Sequence, residues 1–231
     1  LLARRGGTPP TARLVMGAKE EGVEDIEIFG LRRRIAERMQ DAKRRIPHFA
    51  YVEEVDVTEL ETLRAELNSA RSTAGHLTVL AFLVRALVKA IADHPGINAH
   101  FDDAEGVIRR FTSVHAGIAT QTERGLLVPV IHHAETMDLW QIAAEIARLS
   151  QAARSGKASR DELTGSTITV TSLGALGGIA ATPIINPPEV AVIGVNRIAE
   201  RPMVAGGAIV IRKMMNLSSS FDHRIVDGFE A

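Results

Sequence analysis

Apolar residues recur at intervals of three or four at Leu31, Ile35, Met39, Ala42 and Ile46, predicting an amphipathic helix that opens after Gly30 and stops at Pro47. Phe49 to Val57 is rich in aromatic and β-branched residues and predicts a strand. Thr58-x-x-Glu61 reads as a capping box for a helix presenting Leu60, Leu63 and Leu67 on one side. From Leu77 to Ala92, thirteen of sixteen residues are apolar, and Thr78, Arg85 and Lys89 form one narrow polar stripe. A run below about 18 residues carrying two charges predicts a buried core helix rather than a membrane span. Short strands are expected near 97–101, 107–111, 114–120 and 126–131, with turns at 102–106 and 122–125. Asp138-x-x-Gln141 caps a long helix with Leu139, Ile142, Ile146 and Leu149 on one side, closed by Gly156. Ser159-x-x-Glu162 caps a brief helical turn. Strands follow at 166–172 and 189–197, and Gly206-Gly207 leads into a strand-like run over 208–221. This order implies an α+β fold, a mixed sheet with helices packed on it, forming one domain over 26–231.

Residues 1–25 carry no clear element. Arg4, Arg5, Arg13, Gly6-Gly7 and Pro9-Pro10 stand there, and the segment reads as a flexible linker remnant, with a transit peptide as the less favoured reading. Leu14-Val15-Met16 is too short an apolar run for a secretory signal.

Composition narrows the chemistry. A formal net charge of −1 and 4% aromatic residues give no basic field and no stacking platform, so no nucleic-acid partner is expected. The absence of cysteine excludes disulfides, thiolate zinc sites and a cysteine nucleophile. It also fits a reducing compartment, and a cytoplasmic location is expected. There is no Gly-x-Ser-x-Gly elbow, Walker A loop or Gly-x-Gly-x-x-Gly, so a serine hydrolase or nucleotide enzyme loses support. His132 and His133 would face opposite ways on a strand and are read as strand-end histidines, with no metal site expected.

Two clusters remain. Phe221-Asp222-His223-Arg224-Ile225-Val226-Asp227-Gly228 places a histidine where an element ends before an Asp-Gly turn. Such a histidine is either a structural turn residue or a base held rigid with one ring nitrogen free. Thr171 and Ser172 end an apolar strand before Leu173-Gly174, where a hydroxyl either caps the strand or supports a developing oxyanion.

The segment from Phe221 to Gly228 resembles the signature of the dihydrolipoamide acyltransferase core of 2-oxo acid dehydrogenase complexes, and it echoes the active-site segment of chloramphenicol acetyltransferase. Further landmarks stand in the same order: Gly30 to Met39, Ile46-Pro-His-Phe49, Arg124 to Val130, Thr171-Ser-Leu-Gly174 and Ile185-Asn-Pro-Pro-Glu-Val190. The resemblance covers roughly 26–231 and implies a chloramphenicol acetyltransferase-like two-layer sandwich.

It further implies that His223 is the general base for the coenzyme A thiol, that Thr171 steadies the oxyanion, and that Asp227 supports the site beside an arginine, with Arg33, Arg34 and Arg38 as candidates. Arg64, Thr78, Gln121, Ser150 and Ser172 match coenzyme A-contacting positions. Gln121 departs from relatives that carry an acid there. Coenzyme A is then a substrate, and the acyl group rides on a lipoyl group of a separate domain. The 49–58 and 214–221 stretches look most like bacterial branched-chain members. The implied partners are further copies in a homotrimer or larger hollow particle, together with the 2-oxo acid decarboxylase-dehydrogenase and dihydrolipoamide dehydrogenase components. Against the family pattern, no lipoyl or subunit-binding domain is seen before the core, and the C-terminal end is expected to be incomplete.

Overall fold

A computed structural model describes residues 22–71, 75–123, 125–172, 174 and 177–231. The expected linker therefore lies largely outside the described residues, as do Arg124 and Leu173 of the landmark segments.

Four helices form where the periodicity places them: α1 (Gly30–Arg45), α2 (Thr58–Ala70), α3 (Val79–Asp93) and α4 (Leu139–Arg154). Lys43, Arg44 and Arg45 lie in the last turn of α1, where the backbone carbonyls favour positive charge. The cap of α4 is a true capping box: Gln141 N–H donates to Asp138 Oδ1 at 2.8 Å, and Asp138 N–H donates to Gln141 Oε1 at 2.8 Å. Ser159 and Glu162 exchange the same reciprocal pair.

The box expected at Thr58 and Glu61 does not form. Thr58 Oγ1 donates instead to Asp56 Oδ1 at 2.6 Å and accepts from the Lys213 N–H at 2.8 Å, while Glu61 binds Arg64. A strand from the far end of the chain supplies a competing donor that local sequence does not show.

The strands are β1 (His48–Asp56), β2 (Ala99–Asp102), β3 (Val107–Arg110), β4 (Ala116–Thr122), β5 (Gly125–Leu127), β6 (Val130–Ile131), β7 (Ile168–Ser172), β8 (Ala191–Val195), β9 (Ala199–Ala205) and β10 (Ala208–Asp222). The main sheet runs β1-β10-β8-β7-β4-β5, with β6 paired to β4 and β9 to β10; β2 and β3 form a separate hairpin. The sheet is mixed, since β7 pairs parallel with both β4 and β8 while β10 is antiparallel to β1 and β8.

Register assigns the faces. Ile118, Val170, Met215 and Phe221 turn to one side, where they join Ala81, Val84, Val88, Ile142, Ile146 and Leu149 of α3 and α4 in the main core. Val192 turns to the other side and packs with Ala42, Ile46 and Ile185. The C-terminal end of α1 and the segment 177–189 therefore cover the second face. Leu77, at the mouth of α3, is completely buried. Among the described residues no helix is long and apolar enough to cross a membrane.

Candidate active site

The longest strand, β10, delivers His223 to its place. Asp222 closes the strand opposite His48 of β1, and the chain turns at once: the N–H groups of Ile225 and Val226 both donate to the Asp222 carbonyl at 2.9 Å. Asp222 is 1% exposed and accepts a forked pair from Arg224, with Nη2–Oδ2 at 2.7 Å and Nε–Oδ1 at 2.9 Å. Arg224 also binds Asp103 at 2.6 Å and lies over the Phe101 ring. The turn is thus clamped beneath the histidine.

Above the clamp, His223 N–H donates to the Pro47 carbonyl at 3.1 Å, and its ring packs on Phe49 with centroids 4.4 Å apart. The side chain is still 52% exposed. Its Nδ1 lies 3.9 Å from Asp227 Oδ1, whose side chain is 87% exposed. One ring nitrogen is oriented toward a carboxylate, which leaves the other available to a substrate.

The expected arginine partner of Asp227 is absent among the described residues. Arg33 binds Glu37, and Arg38 donates to the Pro187 carbonyl at 2.6 Å. The acid that holds an arginine in this segment is Asp222. A buried carboxylate two residues from Arg224 takes the guanidinium first, because an unpaired buried charge is costly.

Thr171 and Ser172 part company. Alternation along β7 sends their side chains to opposite faces. Ser172 turns to the helix layer and lines a cavity of ≈ 380 Å³ with Arg64, Thr78, Asn196 and Arg197. Three of the five residues expected to contact coenzyme A thus share one cavity. Gln121 and Ser150 do not line it: Gln121 is exposed on β4 and Ser150 sits on α4.

Inside the cavity Arg64 is engaged. It grips Glu61 through Nε–Oε1 at 2.7 Å and Nη2–Oε2 at 3.0 Å, which holds the Glu61 carboxyl below the usual carboxylate range. Arg197 on the same wall forms no side-chain ion pair or hydrogen bond among the described residues. The sequence reading missed Arg197; its only local signal is a basic residue two positions beyond β8.

Thr171 stands level with Gly194 of β8, and Gly194 with Ser218 of β10. His223 lies two strands across from Thr171 and five residues beyond that row. At about 4.8 Å per strand and 3.3 Å per residue, their backbone positions sit on the order of 19 Å apart in one chain. An oxyanion donor sits about 3 Å from the carbonyl oxygen and a base must reach the proton on the attacking group, so the two act on one reacting centre only a few ångströms across, far less than this separation within one chain.

His132 and His133 behave differently from a plain strand pair. His133 has φ of 55°, and this left-handed turn lets both rings pack edge-on against His115, at 5.1 and 4.7 Å between centroids. His133 N–H donates to His115 Nδ1 at 3.1 Å. Burial, and then the two neighbouring imidazoles, push the His115 pKa down. No group of three or more ligating side chains able to hold a metal occurs among the described residues.

Residues 20–231 match the family model for 2-oxoacid dehydrogenases acyltransferase (catalytic domain). The chain is 63% identical over 215 residues to the lipoamide acyltransferase component of the branched-chain alpha-keto acid dehydrogenase complex of Pseudomonas aeruginosa, covering 93% of this chain and 50% of that protein. It is 40% identical over 220 residues to the dihydrolipoyllysine-residue acetyltransferase component of the pyruvate dehydrogenase complex of Staphylococcus aureus, covering 95% of this chain and 51% of that protein. The chain therefore spans about half the length of the curated relatives it matches.

Among solved structures, a dihydrolipoamide acetyltransferase of Azotobacter vinelandii superposes with a TM-score of 0.87 at 36% identity, covering 98% of this chain and 92% of that one. A chloramphenicol acetyltransferase shares the fold, with a TM-score of 0.52 at 14% identity over 84% of this chain and 88% of that one. A mixed sheet with helices layered on it, a histidine at the end of its longest strand, and a family match across almost the whole length agree: this chain belongs to the 2-oxoacid dehydrogenase acyltransferase catalytic-domain family.

Proposed function

We propose that the chain transfers a branched-chain acyl group between a dihydrolipoyl arm and coenzyme A, with His223 as general base, Thr171 as oxyanion donor and Asp227 as the acid that orients the histidine. One spacing carries the reading. The Azotobacter vinelandii structure was determined to define the catalytic roles of a serine, a histidine and an asparagine; that serine precedes the histidine by 52 positions and the asparagine follows it by four. Here Thr171 precedes His223 by 52 positions and Asp227 follows it by four. A hydroxyl stands where that enzyme has a hydroxyl, and a carboxylate stands where it has an amide.

The free ring nitrogen of His223 takes the proton of the coenzyme A thiol. A positioned imidazole is well suited to take a thiol proton near neutral pH. The sulfur attacks the thioester carbonyl of the acyl-dihydrolipoyl arm. The Thr171 hydroxyl donates to the oxyanion, the intermediate collapses, and the departing dihydrolipoyl sulfur recovers the proton from His223. The acyl group passes directly between two sulfurs, so no nucleophile of the protein is needed.

The wide separation of Thr171 from His223 supports a site shared between copies of the chain, as in a trimer. Coenzyme A lies along the cavity of Arg64, Thr78 and Ser172, and the larger particle and the dehydrogenase components are partners of the whole protein. Because Arg64 is already held by Glu61, the free guanidinium of Arg197 is the better phosphate ligand. Arg197→Ala should raise KM for coenzyme A about tenfold with kcat unchanged, while Arg197→Lys should recover part of the loss. Steady-state kinetics with varied coenzyme A check this, and an unchanged KM rejects the assignment.

The acyl choice is supported by identity of 63% to the branched-chain component against 40% to the acetyltransferase. A panel of acetyl-, succinyl-, isobutyryl- and isovaleryl-coenzyme A with dihydrolipoamide tests it. Branched donors should lead in kcat/KM by about tenfold or more, since one methylene is worth about 1–3 kcal/mol in a fitted pocket. A lead for acetyl or succinyl rejects the branched-chain reading, and no transfer from any donor rejects acyl transfer itself.

A further inference from the structure

We infer that His48 is a positioning residue for His223: its ring fixes the turn whose carbonyl and aromatic ring hold that base, an inference that rests on His223 being the transfer base.

The Ile46 carbonyl accepts twice from His48, from the backbone N–H at 2.8 Å and from ring Nδ1 at 2.9 Å. On the far side of the ring, the Ile185 N–H lies 3.0 Å from Nε2. A backbone N–H can only donate, so Nε2 carries the lone pair and Nδ1 the proton. One neutral imidazole therefore ties the end of α1 to the segment 177–189 that covers the second face of the sheet.

What lies between these ties is the support of His223. Pro47 and Phe49, on either side of His48, provide the carbonyl that accepts the His223 N–H and the ring on which its imidazole packs. Pro47 has no N–H to anchor itself, so the direction of its carbonyl depends on the turn that His48 closes. Phe49 is set against Phe221 at 5.5 Å, directly across the strand pair.

The ring works only while neutral. A proton on Nε2 would confront the Ile185 donor. The charged groups around it give little relief: Lys43 of α1 opposes a positive ring, and Asp222 of β10, which favours one, is already engaged with Arg224. Burial, above all, pushes the His48 pKa down. The sign follows: the folded ring resists a proton that the unfolded ring accepts below about pH 6.5, so its contribution to stability is complete above that pH and declines below it, while the ties themselves persist until pH falls through the lower pKa of the folded ring.

The test compares wild type with His48→Gln and His48→Phe in the whole chain, with rates normalised to folded protein. Both variants should lose kcat, about tenfold to a hundredfold, with KM for coenzyme A within twofold, as expected for a displaced catalytic group. Gln should lose less than Phe, because its amide can still donate to the Ile46 carbonyl and accept from Ile185. The acid limb of the wild-type kcat profile should be steeper than one proton allows, and that of either variant should fit one proton. Nitrogen NMR should find the His48 ring neutral with its proton on Nδ1 at pH 7.5. A kcat within twofold of wild type in both variants overturns the inference, as does a proton on Nε2. If wild-type protein itself transfers no acyl group, the acyl-transfer reading falls, and the NMR result still decides the state of the His48 ring.

Discussion

His223→Gln should lower kcat by roughly 10²- to 10⁴-fold, the range that a positioned general base contributes, with KM for coenzyme A little changed. Beyond the base, the substitution removes the packing of the ring on Phe49 and leaves the surrounding hydrogen bonds in place. The backbone N–H that bonds Pro47 stays, and so do the Asp222–Arg224 clamp and its tie to Asp103. The side chain is half exposed and its one carboxylate neighbour is mostly in solvent, so the variant should unfold within about 0.5 kcal/mol of wild type. Glutamine fills a similar shape and cannot accept a proton at neutral pH. Turnover of folded variant at the wild-type rate would remove His223 from the mechanism, whatever the family match.

Thr171→Val should cost roughly 10²- to 10³-fold in kcat, as loss of one oxyanion donor does. Valine keeps the β-branched shape that suits β7, so the strand between β4 and β8 should persist. The separation on the order of 19 Å between Thr171 and His223 adds a stronger test. If each site takes its hydroxyl from one copy and its base from another, His223→Gln and Thr171→Val damage different halves. Unfolded together and refolded, the two inactive proteins should regain activity, with about a quarter of the sites receiving both intact halves under random assembly. Each refolded alone should stay inactive. A mixture no more active than its components would show that both groups act within one chain.

Much of the chain's organisation is legible without coordinates. The helices at Gly30–Arg45 and Leu139–Arg154 follow from apolar spacing, and the caps at Asp138 and Ser159 follow from residues three apart, because a helix terminus is satisfied by its own neighbours. The position of His223 at a strand end before a turn is likewise local. Thr58 fails for the opposite reason: its hydroxyl is claimed by Asp56 and by the backbone of Lys213, a residue 155 positions away.

The sequence by itself determined the element order, the lack of a cysteine nucleophile and the two segments in which candidate reactive groups stand. The tertiary structure decided which groups meet. Register across β7, β8 and β10 turned Ser172 into the cavity of Arg64 and Thr78 and carried Thr171 away from it. Folding also gave Arg224 to Asp222 rather than an arginine to Asp227, and set His48 and Phe49 under His223. Alternation along a strand is written in the residues themselves. Distance across a sheet is set by strand order and register, which arise from pairings between distant segments, and the candidate site is built from those pairings.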